Sequence, residues 1–384
     1  DRCFLGCACA SSMTDYDIII IGGGMAGASL GAEVAAHARV LVLEMEEIPG
    51  YHATGRSVSF WQESYGGPAV QPLTSASGPL LRNPDPSFSE TSFLTPRGAL
   101  HIGRERDQAL RADFLSAYAN AGIRMDVRER AEIAKYVPGL RTEWTLGIAE
   151  PSTADIDTTA LHSAYLRQLG QRGGVVKTGT GLLSAKHLQA SWLVDTGEGQ
   201  YRCQTLFNAA GAWADDVAQR CGVAPMGITP LQRTVVQLRT ALDIPTDLPL
   251  ILDLNGTFYF KPVGNGRIWL SPHDEEPRMP GDAAPEELAV ATAISRLQHV
   301  VDWPILAVER KWAGLRSFAP DRLPIYGYDA HNADFFWFAG QGGFGIQTSP
   351  AAAQLGAALL LRHPPNDCVA GIDAASYAPA RFAR

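Results

Sequence analysis

The chain has 384 residues, and at roughly 150 residues per domain that length predicts two domains. Apolar residues make up 46% and charged ones 19%, below the ~25% of an average soluble domain, which excludes wholesale disorder. Lys plus Arg number 32 against 40 Asp plus Glu, a net charge of −8, and no basic run supplies the stripe that a nucleic-acid or anionic-membrane surface needs.

Residues 1–12, DRCFLGCACASS, precede Met13 with neither a basic n-region nor an apolar h-region, and are expected to be an upstream segment outside the fold. Cytoplasmic residence follows as the expectation. After Met13, YDIIII, GGGMAG, ASLGAEVAAHA and RVLVLE read as strand, glycine turn, helix and strand, a βαβ unit. Gly22, Gly24 and Gly27 form GxGxxG, and Glu44 closes the second strand 20 residues after Gly24. In such a unit the first glycine makes the turn, the second lets backbone N–H groups approach a pyrophosphate, and the third lets helix and strand pack closely. Phosphates would sit on the positive helix terminus, and Glu44 would accept ribose hydroxyls while repelling a 2′-phosphate, which argues against NADP.

From about 90 to 145 charged helical segments such as GRERDQALRADFLSAYANAG replace simple βα alternation. A capped amphipathic helix returns at DTTALHSAYLRQLGQRGG, followed by VVKTGTG, SWLVDTG and a strand, small-residue loop and helix in YRCQTLFNAAGAWADDVAQRCG. QRTVVQLRT, LPLILDL, GTFYFKP and GRIWLSP then read as four strands of an antiparallel sheet, followed by a helix at PEELAVATAISRLQHVV. The uncharged stretch from Phe335 to Leu361 is long enough for a membrane span, but 5 glycines and the Thr348-Ser349-Pro350 break make it a buried strand, a glycine loop and a helix. The fold expected is α/β, a Rossmann-like βαβ domain with an α+β substrate part. Segments 13–88, 146–229 and 312–384 form a discontinuous cofactor domain, and 89–145 and 230–311 a substrate-binding domain built on the antiparallel sheet. His101, His162, His187, His273 and His299 are scattered without ligand spacing, so no metal is expected, and Cys203 and Cys221 read as core thiols.

Four motifs stand in order: the GxGxxG unit with Glu44, NAAGAW at 208–213, GLRSFAPDRLPIYG at 314–327 and GQGGFGIQTSPAAA at 340–353. Together they resemble the FAD-dependent glycine and D-amino acid oxidase (DAO) family across nearly the whole chain. PGYHATGRS, FYFKP, WAGLRSF and QGGFGIQTS resemble its bacterial D-arginine dehydrogenase branch in particular. The resemblance implies FAD, which composition and periodicity alone leave unresolved from NAD. It implies an adenosine-diphosphate site at Gly22, Gly24, Met25, Ala26, Gly27 and Glu44, and a loop beside the flavin at His52, Thr54, Gly55, Arg56 and Ser57. Ala210, Gly211 and Trp213 would cover the cofactor, with Gly314 and Arg316 close by. Gly342, Gly343, Phe344, Gly345, Ile346, Gln347 and Thr348 would supply backbone donors to the flavin's pyrimidine edge. Some relatives attach flavin through a cysteine near the position of Gly314; none lies there in this chain, so noncovalent FAD is expected.

Oxidising an amino acid at Cα requires a fixed carboxylate, and arginine's planar, permanently charged fork suits that task. The resemblance assigns it to Arg316 and Arg233, with Tyr65 and Tyr259 closing the site and the Gly343 carbonyl accepting from the amine. An arginine inside the apolar run WAGLRSF needs a buried anion or a ligand. Where the D-arginine branch has a histidine and a hydroxyl residue, this chain has Phe60 and Gln62, and the branch's acidic positions fall on Ala99 and Gly256. Without those carboxylates a cationic side chain would be left unpaired. Phe60, Trp61, Leu250 and Leu252 suggest an apolar pocket instead. The expected reaction is hydride transfer from Cα of a neutral, hydrophobic D-amino acid to FAD N5, giving an imino acid that hydrolyses to a 2-oxo acid and ammonia. Oxygen, or a quinone or dye, would be the acceptor. A glycine- or sarcosine-type amine or a 2-hydroxy acid is the alternative substrate; an NAD-linked dehydrogenase and a noncatalytic flavoprotein are the competing classes.

Overall fold

The computed structural model describes residues 14–382, so the expectation for 1–12, together with Cys3, Cys7 and Cys9, falls outside the described residues. Strand β1 (Thr14–Ile21) owes its isoleucine run to burial on both faces: Ile18 to Ile21 are all in the core. Helix α1 (Met25–Val34) carries the chain over to the parallel strand β2 (Val40–Leu43). On its other side β1 pairs in parallel with Gly199–Asn208, which in turn takes Phe335–Ala339 in parallel. These strands centre a mixed eight-stranded sheet. Helix α1 packs between this sheet and the helices Thr158–Gln171 and Ser349–Leu361. The first of those helices opens at Asp157, whose side chain accepts the Ala160 N–H at 2.8 Å.

A ten-stranded, largely antiparallel sheet forms the second layer system. The four strands expected from 232 to 272 appear as Thr229–Thr240, Leu250–Asp253, Tyr259–Gly264 and Arg267–Ser271. Alternation divides the sheet into two faces. Leu100, Ile102, Val236, Leu238, Ile251, Phe260 and Ile268 form one buried cluster with Val290, Ala293 and Leu297 of the helix Glu287–Gln298. Ala99, Val235, Leu250, Leu252 and Tyr259 form another, which faces the first sheet's loops through Val58 and Phe60. A three-stranded sheet of Phe60–Trp61, Ala154–Ile156 and Leu94–Pro96 joins the two systems.

The segment boundaries expected at 146 and 312 fall inside single strands. Trp144–Glu150 pairs with Ala99–Arg104 and Asp126–Glu129 in the larger sheet, and Ile305–Phe318 runs along the whole of Thr229–Thr240. The ladder continues through the charged run Glu309-Arg310-Lys311, because this part of the strand is largely exposed to solvent. The stretch 335–361 resolves into the strand Phe335–Ala339, the short strand Gln341–Gly342 and the helix Ser349–Leu361. Among the described residues no helix is long and apolar enough to cross a membrane.

Candidate active site

The glycine turn is tight in the way its sequence demands. Gly22 has φ +103°, and a Cβ there would lie 2.6 Å from the Ala209 carbonyl oxygen. A Cβ on Gly27 would lie 1.9 Å from the Gly22 carbonyl oxygen. Helix α1 opens at Gly24 with no side-chain cap on that residue and no acid in its first turn; Thr54 Oγ1 accepts the Met25 N–H at 3.0 Å. Glu44 is buried, and its carboxylate accepts the N–H groups of Gly23 at 2.8 Å and Glu46 at 2.9 Å. A positive terminus with no acid in its first turn, beside a close backbone and a fixed carboxylate, fits a dinucleotide's pyrophosphate and ribose.

From this turn one cleft runs to the inner face of the ten-stranded sheet. Gly22, Gly24, Met25, Ala26, Glu44, His52, Thr54, Arg56, Ser57, Ala210, Gly211 and Trp213 line its first part, and Gly314, Gly342, Gly343, Gly345, Ile346 and Gln347 its second. The His52 ring packs on Trp213 with centroids 4.6 Å apart. Arg56 is held by its own contacts: it donates to the carbonyls of Ala283 and Ala313, each at 3.1 Å, and pairs with Asp282. Gln347 locks the glycine loop to the 62–65 segment, donating to the Tyr65 carbonyl at 3.0 Å and accepting the Gln62 N–H at 3.1 Å.

Strand register sets the far end. Arg233 stands opposite Gly314, so Arg316, two residues on, lies diagonally across on the same face. Tyr259 stands opposite Ser271 and Leu252 in its own two ladders. Arg233, Arg316, Tyr65, Tyr259 and Phe60 all reach the cleft. Arg316 Nη1 donates to the Tyr65 hydroxyl at 3.3 Å, and a Cβ on Gly343 would lie 2.9 Å from both atoms, so a side chain there would displace them. Arg233 Nη1 and Arg316 Nε are buried without a hydrogen-bond partner. Burial and the neighbouring Arg316 charge push the Arg233 guanidinium below its ordinary value, and burial pushes the Tyr259 phenol up.

Other expected residues sit elsewhere. Gly27, Gly55, Phe344 and Thr348 support the cleft from behind rather than line it; Thr348, for instance, donates its hydroxyl to the Phe344 carbonyl at 2.9 Å. Ala99, Leu250 and Leu252 form the apolar layer under Phe60 and Tyr259. Trp61, expected beside Phe60 in the pocket, points to the opposite core and donates to the Thr74 carbonyl at 2.9 Å, because successive side chains alternate along the strand. Gln62 is fully buried away from the cleft, donating to Glu150 at 2.9 Å in a network that includes Ser64 and His101. The carbonyl of Gly256 accepts from the His273 ring.

Three further groups at the site were not expected there from the sequence. Glu275 pairs with Arg233 and Arg316. His273 stacks edge-on against Tyr259, and His162 Nε2 donates to the Gly23 carbonyl at 2.9 Å, bracing the glycine turn. His162 lies on the buried stripe of its helix with Leu161, Tyr165 and Leu169, the one signal that could have found it. Burial first, then the charges of Arg233 and Arg316, push His273 down to about 3 from 6.5, and burial lowers His162 too. Both are neutral in the fold at pH 7 and take up a proton on unfolding below 6.5. For His273, stability therefore falls as pH drops from 6.5 towards 3, by up to about 1.4 kcal/mol per pH unit, and His162 adds to the decline below 6.5. Thermal midpoints across that window check this: His273→Gln is expected to decline less steeply than the wild type, and equal slopes would refute it.

Comparison with known proteins fits this architecture. The family described as "DAO: FAD dependent oxidoreductase" matches residues 17–359. The bifunctional protein ThiO/ThiG of Nostoc sp. is 26% identical over 362 residues, 90% of this chain and 52% of its own length, so the chain spans about half of that relative. Glycine oxidase from Geobacillus kaustophilus superposes with a TM-score of 0.83 at 20% identity, covering 96% of this chain and 99% of that one. L-alpha-glycerophosphate oxidase from Mycoplasma pneumoniae, with FAD bound, superposes with a TM-score of 0.80 at 16% identity over 91% of this chain and 95% of that one. FAD is the cofactor that the glycine turn and cleft accommodate. By the extent of that match and the order of its motifs, the chain belongs to the DAO family of FAD-dependent oxidoreductases.

Proposed function

We propose that the protein oxidises the α-carbon of an amino acid with a neutral, apolar side chain, in the D configuration, yielding an imino acid that water converts to a 2-oxo acid and ammonia. One observation carries the reading: two buried guanidiniums stand side by side on one sheet face at the end of the cofactor cleft, each with an N–H that nothing in the protein accepts. A buried unpaired donor is costly, and a ligand carboxylate removes that cost. In this reading Arg316 and Arg233 grip the carboxylate, the Gly343 carbonyl receives the amine, and Tyr65 and Tyr259 close the site and exclude water. FAD, when bound, supplies the acceptor for the Cα hydride. The chain's part is orientation and desolvation; no acid–base pair is required of it. We take the eight-stranded sheet as the cofactor unit and the ten-stranded sheet as the substrate unit. Cys203, Cys221 and Cys368, the cysteines among the described residues, do not line the cleft, which supports noncovalent attachment.

The side-chain preference rests on the layer of Phe60, Ala99, Leu250, Leu252 and Tyr259, which offers no carboxylate to a guanidinium or ammonium. The D configuration rests on the resemblance of WAGLRSF and QGGFGIQTS to the D-arginine dehydrogenase branch. A second reading, a small substrate such as glycine or sarcosine, is favoured by the packing of Phe60 against Tyr65 at 5.0 Å and Tyr259 at 5.8 Å, which narrows the side-chain space. Anaerobic bleaching by a panel of D- and L-amino acids, glycine, sarcosine and 2-hydroxy acids tests both. D-leucine, D-methionine and D-phenylalanine are expected to reduce the enzyme with at least tenfold higher efficiency than D-arginine or any L-amino acid, as a cation buried unpaired costs several kcal/mol. Preference for D-arginine would overturn the proposal, and preference for glycine or sarcosine would install the second reading. Admitting air afterwards distinguishes an oxidase, which regains its colour with peroxide, from a dehydrogenase, which needs a quinone or dye.

A further inference from the structure

One carboxylate oxygen gathers three arginines at the far end of the cleft. Glu275 Oε1 accepts from Arg316 Nη2 at 2.6 Å, Arg322 Nη2 at 2.9 Å and Arg233 Nη2 at 3.4 Å. Arg233 is buried and Arg316 largely so, with side chains 5% and 12% exposed, so their like charges are only partly screened. The segment bearing Glu275 is tied down on the strand that bears Arg233. Asp274 accepts both the backbone N–H and the hydroxyl of Thr234, each at 2.7 Å, and the Asp274 carbonyl accepts from Arg233 Nε at 3.0 Å. Beyond it, Glu276 and Pro277 pair with Gln232 and Leu231, and the Arg278 N–H donates to the Pro230 carbonyl at 3.0 Å. Fastened on both sides, Glu275 is part of the arginine face and not a flap over it. It engages only one nitrogen of each buried guanidinium, leaving Arg233 Nη1 and Arg316 Nε unpartnered.

We propose that Glu275 is a positioning residue for the substrate carboxylate: it is the shared counter-anion that holds the two buried guanidiniums together and leaves their unused N–H groups to one incoming carboxylate. The inference rests on the amino-acid reading given above. It also sets a charge rule. Arg233, Arg316 and Arg322 against Glu275 and Asp274 leave one net positive charge in the cluster, which a single carboxylate neutralises. A substrate with a second carboxylate held near this face would leave an uncompensated anion, so amino acids with acidic side chains are disfavoured.

The test uses the FAD-loaded enzyme and benzoate as a carboxylate probe, followed through the perturbation of flavin absorbance, with benzamide as the neutral control. In Glu275→Gln, which keeps shape and an acceptor oxygen but loses the charge, the Kd for benzoate is expected to rise about tenfold. Benzamide binding stays as in the wild type, and KM for the amino acid rises more than kcat falls. Should the glutamine variant fail to hold FAD, Glu275→Asp carries the same test, its charge withdrawn by one methylene and its benzoate binding weakened about threefold. Unchanged or tighter benzoate binding in the variant overturns the proposal, as does an equal loss for benzamide, which would mark a general disturbance. Arg316→Ala separates the two levels of inference. If it binds benzoate like the wild type, the carboxylate-site reading itself fails; if it loses benzoate while Glu275→Gln does not, only the role of Glu275 fails.

Discussion

Arg316→Ala is expected to lower kcat/KM for the preferred amino acid by about a thousandfold, or ~4 kcal/mol, while FAD remains bound. The magnitude follows from burial. The side chain is 12% exposed and meets its partners in a region where charge-assisted hydrogen bonds are little diluted by water. Alanine would remove the donors that a substrate carboxylate meets and leave Glu275 with Arg322 and Arg233 alone. Lysine would not repair the loss, since a point charge on a flexible stem cannot present two parallel N–H groups. The cofactor is expected to survive because Arg316 stands at the sheet end of the cleft, away from the glycine turn and Glu44. Steady-state kinetics with the visible spectrum of the purified variant check both halves. A variant retaining more than a tenth of wild-type efficiency would mean that the carboxylate is bound elsewhere.

Gly27→Ala is expected to give a colourless, poorly folded protein. A Cβ at that position would sit 1.9 Å from the Gly22 carbonyl oxygen, a backbone atom that cannot swing aside. Helix α1 would have to move off β1, carrying with it Met25 and Ala26 at the cleft wall, at a cost of several kcal/mol. Gly170→Ala is the contrast: it lies exposed in the helix Thr158–Gln171 with nothing within 4 Å of the added carbon, and is expected to raise stability by up to about 1 kcal/mol. Absorbance of bound flavin and the melting midpoint read out both. A yellow Gly27→Ala protein melting at the wild-type temperature would show that the turn tolerates what its geometry forbids.

What the sequence discloses and what it withholds divide along the range of the interactions. The turn from β1 to β2 was legible because strand, glycines, helix and acid are consecutive and each local choice agrees with the next. Arg316 was legible because a charge inside WAGLRSF demands a partner. That it shares a face with Arg233 was not, since this depends on Arg233 standing opposite Gly314 across 81 residues of chain. Glu275 was illegible for a related reason. In the run Asp274-Glu275-Glu276 it looks like a solvated acid, and only the pairing of Glu276 and Pro277 with Gln232 and Leu231 brings it to the arginines. Trp61 was misplaced because its side chain alternates to the face opposite Phe60, and Gln62, just past the end of that short strand, found a buried partner in Glu150.

The fastening of Arg56 constrains how this scaffold can be re-engineered. Its guanidinium reaches the carbonyls of Ala283 and Ala313, while the Trp312 indole donates back to the Arg56 carbonyl at 2.9 Å. Residues 50–59, 281–283 and 312–314 therefore behave as one cassette despite their separation along the chain. A chimera that borrows the large sheet from a relative has to import all three pieces at once, or the graft will be left with severed seams.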